Sequence, residues 1–214
     1  MTAQFLDKKT IAELTARMYL DTGAVRFMTD KPFIFTSGWA SPVYNDSRWL
    51  MSFPDVRSAL MDFAVHTIER DIGRDKINAV AGGETAGIAF AAWVADRMHL
   101  PMQYVRKKPK GFGRGAQIEG LLVPGQRVLL VEDLATDGKS KVNFINALRE
   151  AGGICEHCFV IFFYDIYPQS KKIMGDLGVT LHSLTTWKDV LAVARTSGQF
   201  EPKMLAEVEK FIGD

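Results

Sequence analysis

Residues 127–144 read RVLLVEDLATDGKSKVNF, and the stretch changes character halfway along. Arg127 to Val131 is a short apolar run of the kind that forms a strand buried on both faces. From Ser140 to Ala151 the apolar residues recur at helical spacing. Between them, Gly138-Lys139-Ser140 resembles the end of a triphosphate-binding loop. That loop requires glycine five positions before Gly138, in the pattern G-x-x-x-x-G-K-[ST]. The position holds Asp133. A carboxylate there would turn negative charge into a cradle that must offer backbone N–H groups, so the triphosphate reading fails.

What remains is a strand, two acids, and a turn with Thr136, Gly138 and Ser140 opening a helix. N–H groups at a helix start, together with two hydroxyls, suit a single phosphate monoester. The adjacent carboxylates Glu132 and Asp133 suit hydroxyl donors such as a ribose diol, or a hydrated cation. A site that takes sugar hydroxyls beside one phosphate describes a ribose 5-phosphate.

Working outward, strand and helix patterns alternate. Helices are expected from Thr10 (with Glu13 at capping-box spacing), over 52–70 with Ser52 and Asp55 as cap and third residue, over 85–97, over 140–151, after Thr186 with Asp189, and over 202–212. Strands are expected at 77–81, 102–106, 127–131, 155–163 and 179–184, and a hairpin-like pair of short strands within 33–50. Residues 107–119 carry three glycines and four basic residues without a hydrophobic period, and read as a mobile loop. This order predicts one α/β domain over residues 1–214: a mostly parallel sheet flanked by helices, with residues up to about 50 as a small N-terminal hood. In such sheets ligands bind beyond the carboxyl ends of the strands. Three consecutive strand ends qualify: 81–87, 106–119 and 132–140.

Bulk composition is that of a globular enzyme-sized domain. The chain has 214 residues, 47% hydrophobic, with 26 basic and 25 acidic side chains. This balance gives no reason to expect a nucleic-acid or membrane partner. The polar start MTAQFLDKKT has no apolar signal core, and the expected location is the cytoplasm. Cys155 and Cys158 lack a second ligand pair for a metal and read as reduced thiols.

VLLVEDLATDGKS resembles the phosphoribosyl pyrophosphate signature of the type I phosphoribosyltransferases. YVRKKPKGFGRGAQIEG resembles the catalytic loop of the orotate phosphoribosyltransferases, and FTSGWASPVYNDSR their N-terminal substrate segment. AVAGGETAGIAFAA resembles the strand–loop–helix that holds the pyrophosphate end. The resemblance implies transfer of a ribose 5-phosphate from phosphoribosyl pyrophosphate to orotate, with Mg2+ carried mainly by the substrate and no separate metal ligands. It assigns Arg106, Lys107 and Lys110 to the pyrophosphate and the catalytic step, with Gly111, Gly113 and Gly115 letting the loop close. Glu132 and Asp133 match the ribose-hydroxyl acids. Leu134 follows them, and Ala135, Thr136, Asp137, Gly138, Lys139 and Ser140 match the 5-phosphate loop. Thr136 and Tyr44 match positions near the orotate ring. A homodimer is implied, with the 107–119 loop shared across the interface.

The chain departs from the family pattern in four places. Phe112 stands where many relatives carry histidine, Thr36 where they carry lysine, and Thr85 and Ala86 where some carry tyrosine and lysine. Ile166 stands where an arginine grips the orotate carboxylate, which leaves Arg48 or a backbone donor for that task. Two other readings stay open at this point: transfer to another base such as a purine, and a non-catalytic sensor of phosphoribosyl pyrophosphate.

Overall fold

The computed structural model describes residues 6–28, 32–34, 40–110 and 117–213. Helix α1 (Lys8–Asp21) starts ahead of Thr10, because the Asp7 side chain accepts the Thr10 N–H at 3.0 Å and caps it. Strand β1 (Val25–Phe27) follows, then β2 (Phe33–Ile34), β3 (Ala40–Ser41) and β4 (Val43–Asn45). The expected short hairpin is the β2–β3 pair, while β4 pairs back, antiparallel, with β1. Ser52 does not cap the next helix as its spacing suggested. It closes a 3-10 turn over Ser47–Ser52, and α2 (Pro54–Asp71) begins on Pro54, whose fixed φ and missing N–H suit a first helical position.

The alternating part then runs β5 (Ala79–Gly83), α3 (Ala86–Met98), β6 (Met102–Val105), β7 (Ile118–Glu119), β8 (Arg127–Ala135), α4 (Lys139–Glu150), β9 (Ile154–Phe163), α5 (Pro168–Asp176), β10 (Thr180–Thr186), α6 (Trp187–Ser197) and α7 (Pro202–Ile212). Six of these strands form one sheet in the order β10-β9-β8-β5-β6-β7, parallel except for β7. The mostly parallel sheet flanked by helices expected from the sequence is therefore present. Thr186 and Asp189 make the reciprocal capping box at the start of α6.

Buried residues on the central strands alternate between two cores. Leu129 and Val131 of β8 and Phe159 and Ile161 of β9 face the core shared with α1, α2, α3, α6 and α7. Val128 and Leu130, with Cys158 and Val160, face the core under α4 and α5. Burial on both faces is why these strands carry near-continuous apolar runs. The larger core ends in a cluster of aromatic rings. Tyr19 stands edge-on to Phe162 at 5.2 Å, and Phe162 edge-on to Trp187 at 5.0 Å. The Tyr19 hydroxyl donates to Ser47 at 2.7 Å, and Ser47 donates to Asn45 at 3.1 Å, tying the N-terminal segment to α1.

Candidate active site

Strand β8 runs four residues further than its apolar run. It pairs with β5 as far as Val131 and continues alongside β9 to Ala135. Glu132 and Asp133 are therefore strand residues with fixed positions, not the start of a loop. They open into a cleft of about 850 Å³ at the carboxyl ends of β5, β6 and β8. Asn45, Asp46, Arg48 and Met51 form its N-terminal wall, and Glu84, Thr85 and Ala86 the β5–α3 turn, where the Glu84–Thr85 peptide is cis. Lys107 comes from beyond β6, and Ser140, Lys141, Asn143 and Phe144 from α4.

Glu132 is held tightly. Its carboxylate is 6% exposed, and one oxygen accepts from Lys141 Nζ at 3.2 Å. The other, Oε1, lies against the backbone of Gly83 and Gly87, so close that a Cβ on either would fall 1.7 or 2.6 Å away. Only glycine leaves that space. Burial pushes the Glu132 and Asp133 carboxyls up from their ordinary values, and the Lys141 ammonium opposes the shift at both. Glu132 Oε1, Asn45 Nδ2 and Arg106 Nε are buried without a hydrogen-bond partner among the described residues. Of these residues Glu132 and Asn45 line the cleft, and an unpaired polar atom there is a place for a polar ligand to complete the bonding.

The stem of the basic loop is pinned. Lys107 N–H donates to Glu84 at 2.7 Å, and Asn143 Nδ2 donates to the Lys107 carbonyl at 3.0 Å. Residues 107–119 are not irregular throughout, since Ile118–Glu119 pairs with Tyr104–Val105 as β7. Glu119 gathers the basic side chains, with Lys110 at 2.6 Å and Arg106 at 3.7 Å.

Of the residues singled out in the sequence, Lys107, Glu132, Asp133, Leu134 and Ser140 line the cleft; Arg106 and Lys110 stand outside its lining, on Glu119. Ala135 is buried beneath, Thr136, Asp137 and Gly138 form the turn into α4, and Lys139 is its first residue. Gly138 takes the left-handed conformation there, φ 83°. Lys139 has a partner in Asp137, at 3.1 Å. Tyr44 is not part of the lining; it packs on Phe33 with ring centroids 4.5 Å apart. Ile166 packs against the larger core. Gly111, Phe112, Gly113, Arg114, Gly115 and Thr36 lie outside the described residues. Sequence reasoning missed Lys141, Asn143, Asp46 and Glu84. Their only signal was position: Glu84 lies within 81–87, Lys141 and Asn143 lie just past 132–140, and Asp46 lies in the N-terminal substrate segment.

A family model described as phosphoribosyl transferase domain matches residues 55–189. The orotate phosphoribosyltransferase of Roseobacter denitrificans is 57% identical over 96% of this chain and 92% of its own length. This chain belongs to the orotate phosphoribosyltransferase family. Similar solved structures agree. The orotate phosphoribosyltransferase of Aeropyrum pernix is 30% identical with a TM-score of 0.71, over 85% of this chain and 99% of that one. Leishmania donovani UMP synthase aligns with a TM-score of 0.78 at 27% identity, over 94% of this chain; this chain spans 42% of that longer protein.

Within this family the cleft's asymmetry has a chemical meaning. Acids line its floor at the end of β8, while Lys107 stands at the β6 loop and Arg48, held on Asp46 at 2.7 and 3.0 Å, at the N-terminal wall. Hydroxyl donors suit the first and phosphoryl or carboxylate oxygens the second. Among the described residues no three His, Cys, Asp or Glu side chains gather to hold a metal ion. A Mg2+ ion that arrives on a diphosphate, with water completing its shell, still fits a cleft holding two carboxylates, because Mg2+ favours a few carboxylates plus substrate phosphates.

Proposed function

We propose that the protein transfers the 5-phosphoribosyl group of phosphoribosyl pyrophosphate to orotate, giving orotidine 5'-monophosphate and pyrophosphate in de novo UMP synthesis. The observation that carries this reading is the acid floor at Glu132 and Asp133 facing a basic loop stem, in a chain 57% identical to an orotate phosphoribosyltransferase. The whole chain acts as one phosphoribosyltransferase domain, with residues up to about 50 hooding the base.

In this reaction a ring nitrogen of orotate gives up its proton to solvent and bonds to the anomeric carbon of the ribose. The bond from that carbon to the pyrophosphate oxygen breaks, and its electron pair leaves with pyrophosphate. Positioning and charge stabilisation supply most of the rate in such a step. Glu132 and Asp133 accept from the ribose hydroxyls and fix the sugar. The turn Ala135–Ser140 holds the 5-phosphate on N–H groups and the hydroxyls of Thr136 and Ser140. Lys107 neutralises the leaving group, and Lys110 and Arg106 join it when diphosphate replaces Glu119 as their partner. Thr136 and Tyr44 border the orotate ring, and Arg48 faces its carboxylate in place of an arginine at Ile166. Bound Mg2+ adds neutralisation of the pyrophosphate charge.

The protein works in the cytoplasm as a homodimer whose 107–119 loops are shared across the interface. Its buried, unpaired Cys155 and Cys158 suit a reducing compartment. The assay is direct: protein, Mg2+ and phosphoribosyl pyrophosphate consume orotate and release pyrophosphate. Turnover of hypoxanthine or adenine with none of orotate overturns the proposal.

A further inference from the structure

Lys141 has no part in the family reading of the site, yet among the described residues it is the one buried lysine or arginine. It is 4% exposed and lies in the first turn of α4. A cation there opposes the helix dipole, which favours negative charge at a helix start. A buried ion pair also contributes little net stability, because desolvation offsets the Coulomb gain. Fold stability therefore gives no reason for a lysine at this position.

Its contacts suggest another reason. The ammonium donates to Leu134 O at 2.7 Å, to Glu132 Oε2 at 3.2 Å and to Ser140 Oγ at 3.3 Å. Its three N–H groups thus go to the acid floor, to the strand end beside it and to the start of the helix. With Oε2 fixed on Lys141, Glu132 Oε1 is left wedged against Gly83 and Gly87 without a partner. We infer that Lys141 is a positioning residue for sugar recognition: it holds the Glu132 carboxylate, ties it to Ser140, and so sets the enzyme's preference for a hydroxylated pentose phosphate. The inference rests on the proposed ribose-binding role of Glu132.

Calorimetric titration with two ligands separates the ideas: ribose 5-phosphate, and tetrahydrofurfuryl phosphate, which keeps a ring and a phosphate but has no hydroxyls. Wild-type protein prefers the first. Lys141→Met cuts that preference roughly tenfold or more, the size of a lost hydrogen bond to a charged group, and leaves the second ligand's affinity within about twofold. In a Glu132→Gln background the same substitution changes the preference no further. Where the methionine variant does not fold, Lys141→Gln, which keeps a donor but drops the charge, is expected to cut the preference too. A wild-type preference in the folded Lys141 variant overturns the inference, as does equal weakening toward both ligands. A wild-type protein without any preference overturns the ribose reading of Glu132 instead, and the inference with it.

Discussion

Replacing Gly83 by alanine probes the tightest contact around Glu132. The added methyl carbon would lie 1.7 Å from Glu132 Oε1 and 2.6 Å from Phe144 Cε2. Ordinary contact begins near 3.4 Å, so the oxygen must withdraw by about 1.7 Å or the strand must move. Neither is easy, because Lys141 holds the other oxygen and β5 pairs on both sides within the sheet. Overpacking of this kind costs about 1–3 kcal/mol. At roughly 2–4 °C per kcal/mol for a chain of this size, a loss of about 2 kcal/mol lowers Tm by about 4–8 °C. A carboxylate moved by more than an ångström also loses the hydrogen bond proposed for it to a ribose hydroxyl, and affinity for ribose 5-phosphate is expected to fall about tenfold or more. Thermal unfolding and calorimetry read the two effects separately. Because the clash is with Glu132, Gly83→Ala on a Glu132→Ala background destabilises less than it does alone. A Gly83→Ala protein with Tm within about 1 °C of wild type and undiminished affinity refutes this account of the floor.

Lys110→Ala is expected to lower turnover about 10²–10³-fold while ribose 5-phosphate affinity stays within about twofold, since in the proposed reaction its charge acts on the departing pyrophosphate; equal losses in both rule that role out. Arg48→Met is expected to raise KM for orotate roughly tenfold without moving KM for phosphoribosyl pyrophosphate. An unchanged orotate KM removes Arg48 as the carboxylate partner. A third expectation concerns pH and lies away from the site. Burial first, then the His157 ring at 3.2 Å and Lys8, push His182 down to about 4, with Asp71 opposing. Its unfolded value is near 6.5, so its contribution is complete above that pH and is lost as pH falls toward 4. Tm should drop over this window, and His182→Gln should flatten the drop between pH 6.5 and 5; a slope identical to wild type shows that His182 is not its source.

The sheet was legible because strand segments buried on both faces must be apolar, and 128–131 and 158–163 are. The further course of β8 was hidden by its own function. Glu132 and Asp133 read as loop residues, and only pairing with β9 reveals them as strand. Helix α5 was missed altogether, although Pro168 offered a start signal, because its nine residues are too few to show a helical period. Helix α1 carried two competing caps, and Asp7, bonded to Thr10, prevailed over Thr10 itself. At the site, acids and hydroxyls announced themselves by chemistry at a strand end. Lys141 did not, since a lysine in a polar helix turn reads as surface; its burial depends on where β8 ends and how closely Gly83 and Gly87 approach.

The pinned stem of the basic loop also sets a leash. Arg106 N–H donates to Gln117 O and Gln117 Nε2 returns to Arg106 O, both at 2.8 Å, while Glu84 and Asn143 fix Lys107. Nine residues, 108–116, remain between the anchors. The middle of the segment is five residues from either anchor, so a fully extended chain carries it no more than about 18 Å from the stem. Lys110 is closer in, three residues beyond Lys107. Its Cα has a radius of about 10 Å, and its four-carbon stem adds roughly 6 Å. Any dimer in which this lysine serves the neighbouring cleft must bring the neighbour's diphosphate inside that radius, so the length of the leash limits how the two subunits pack.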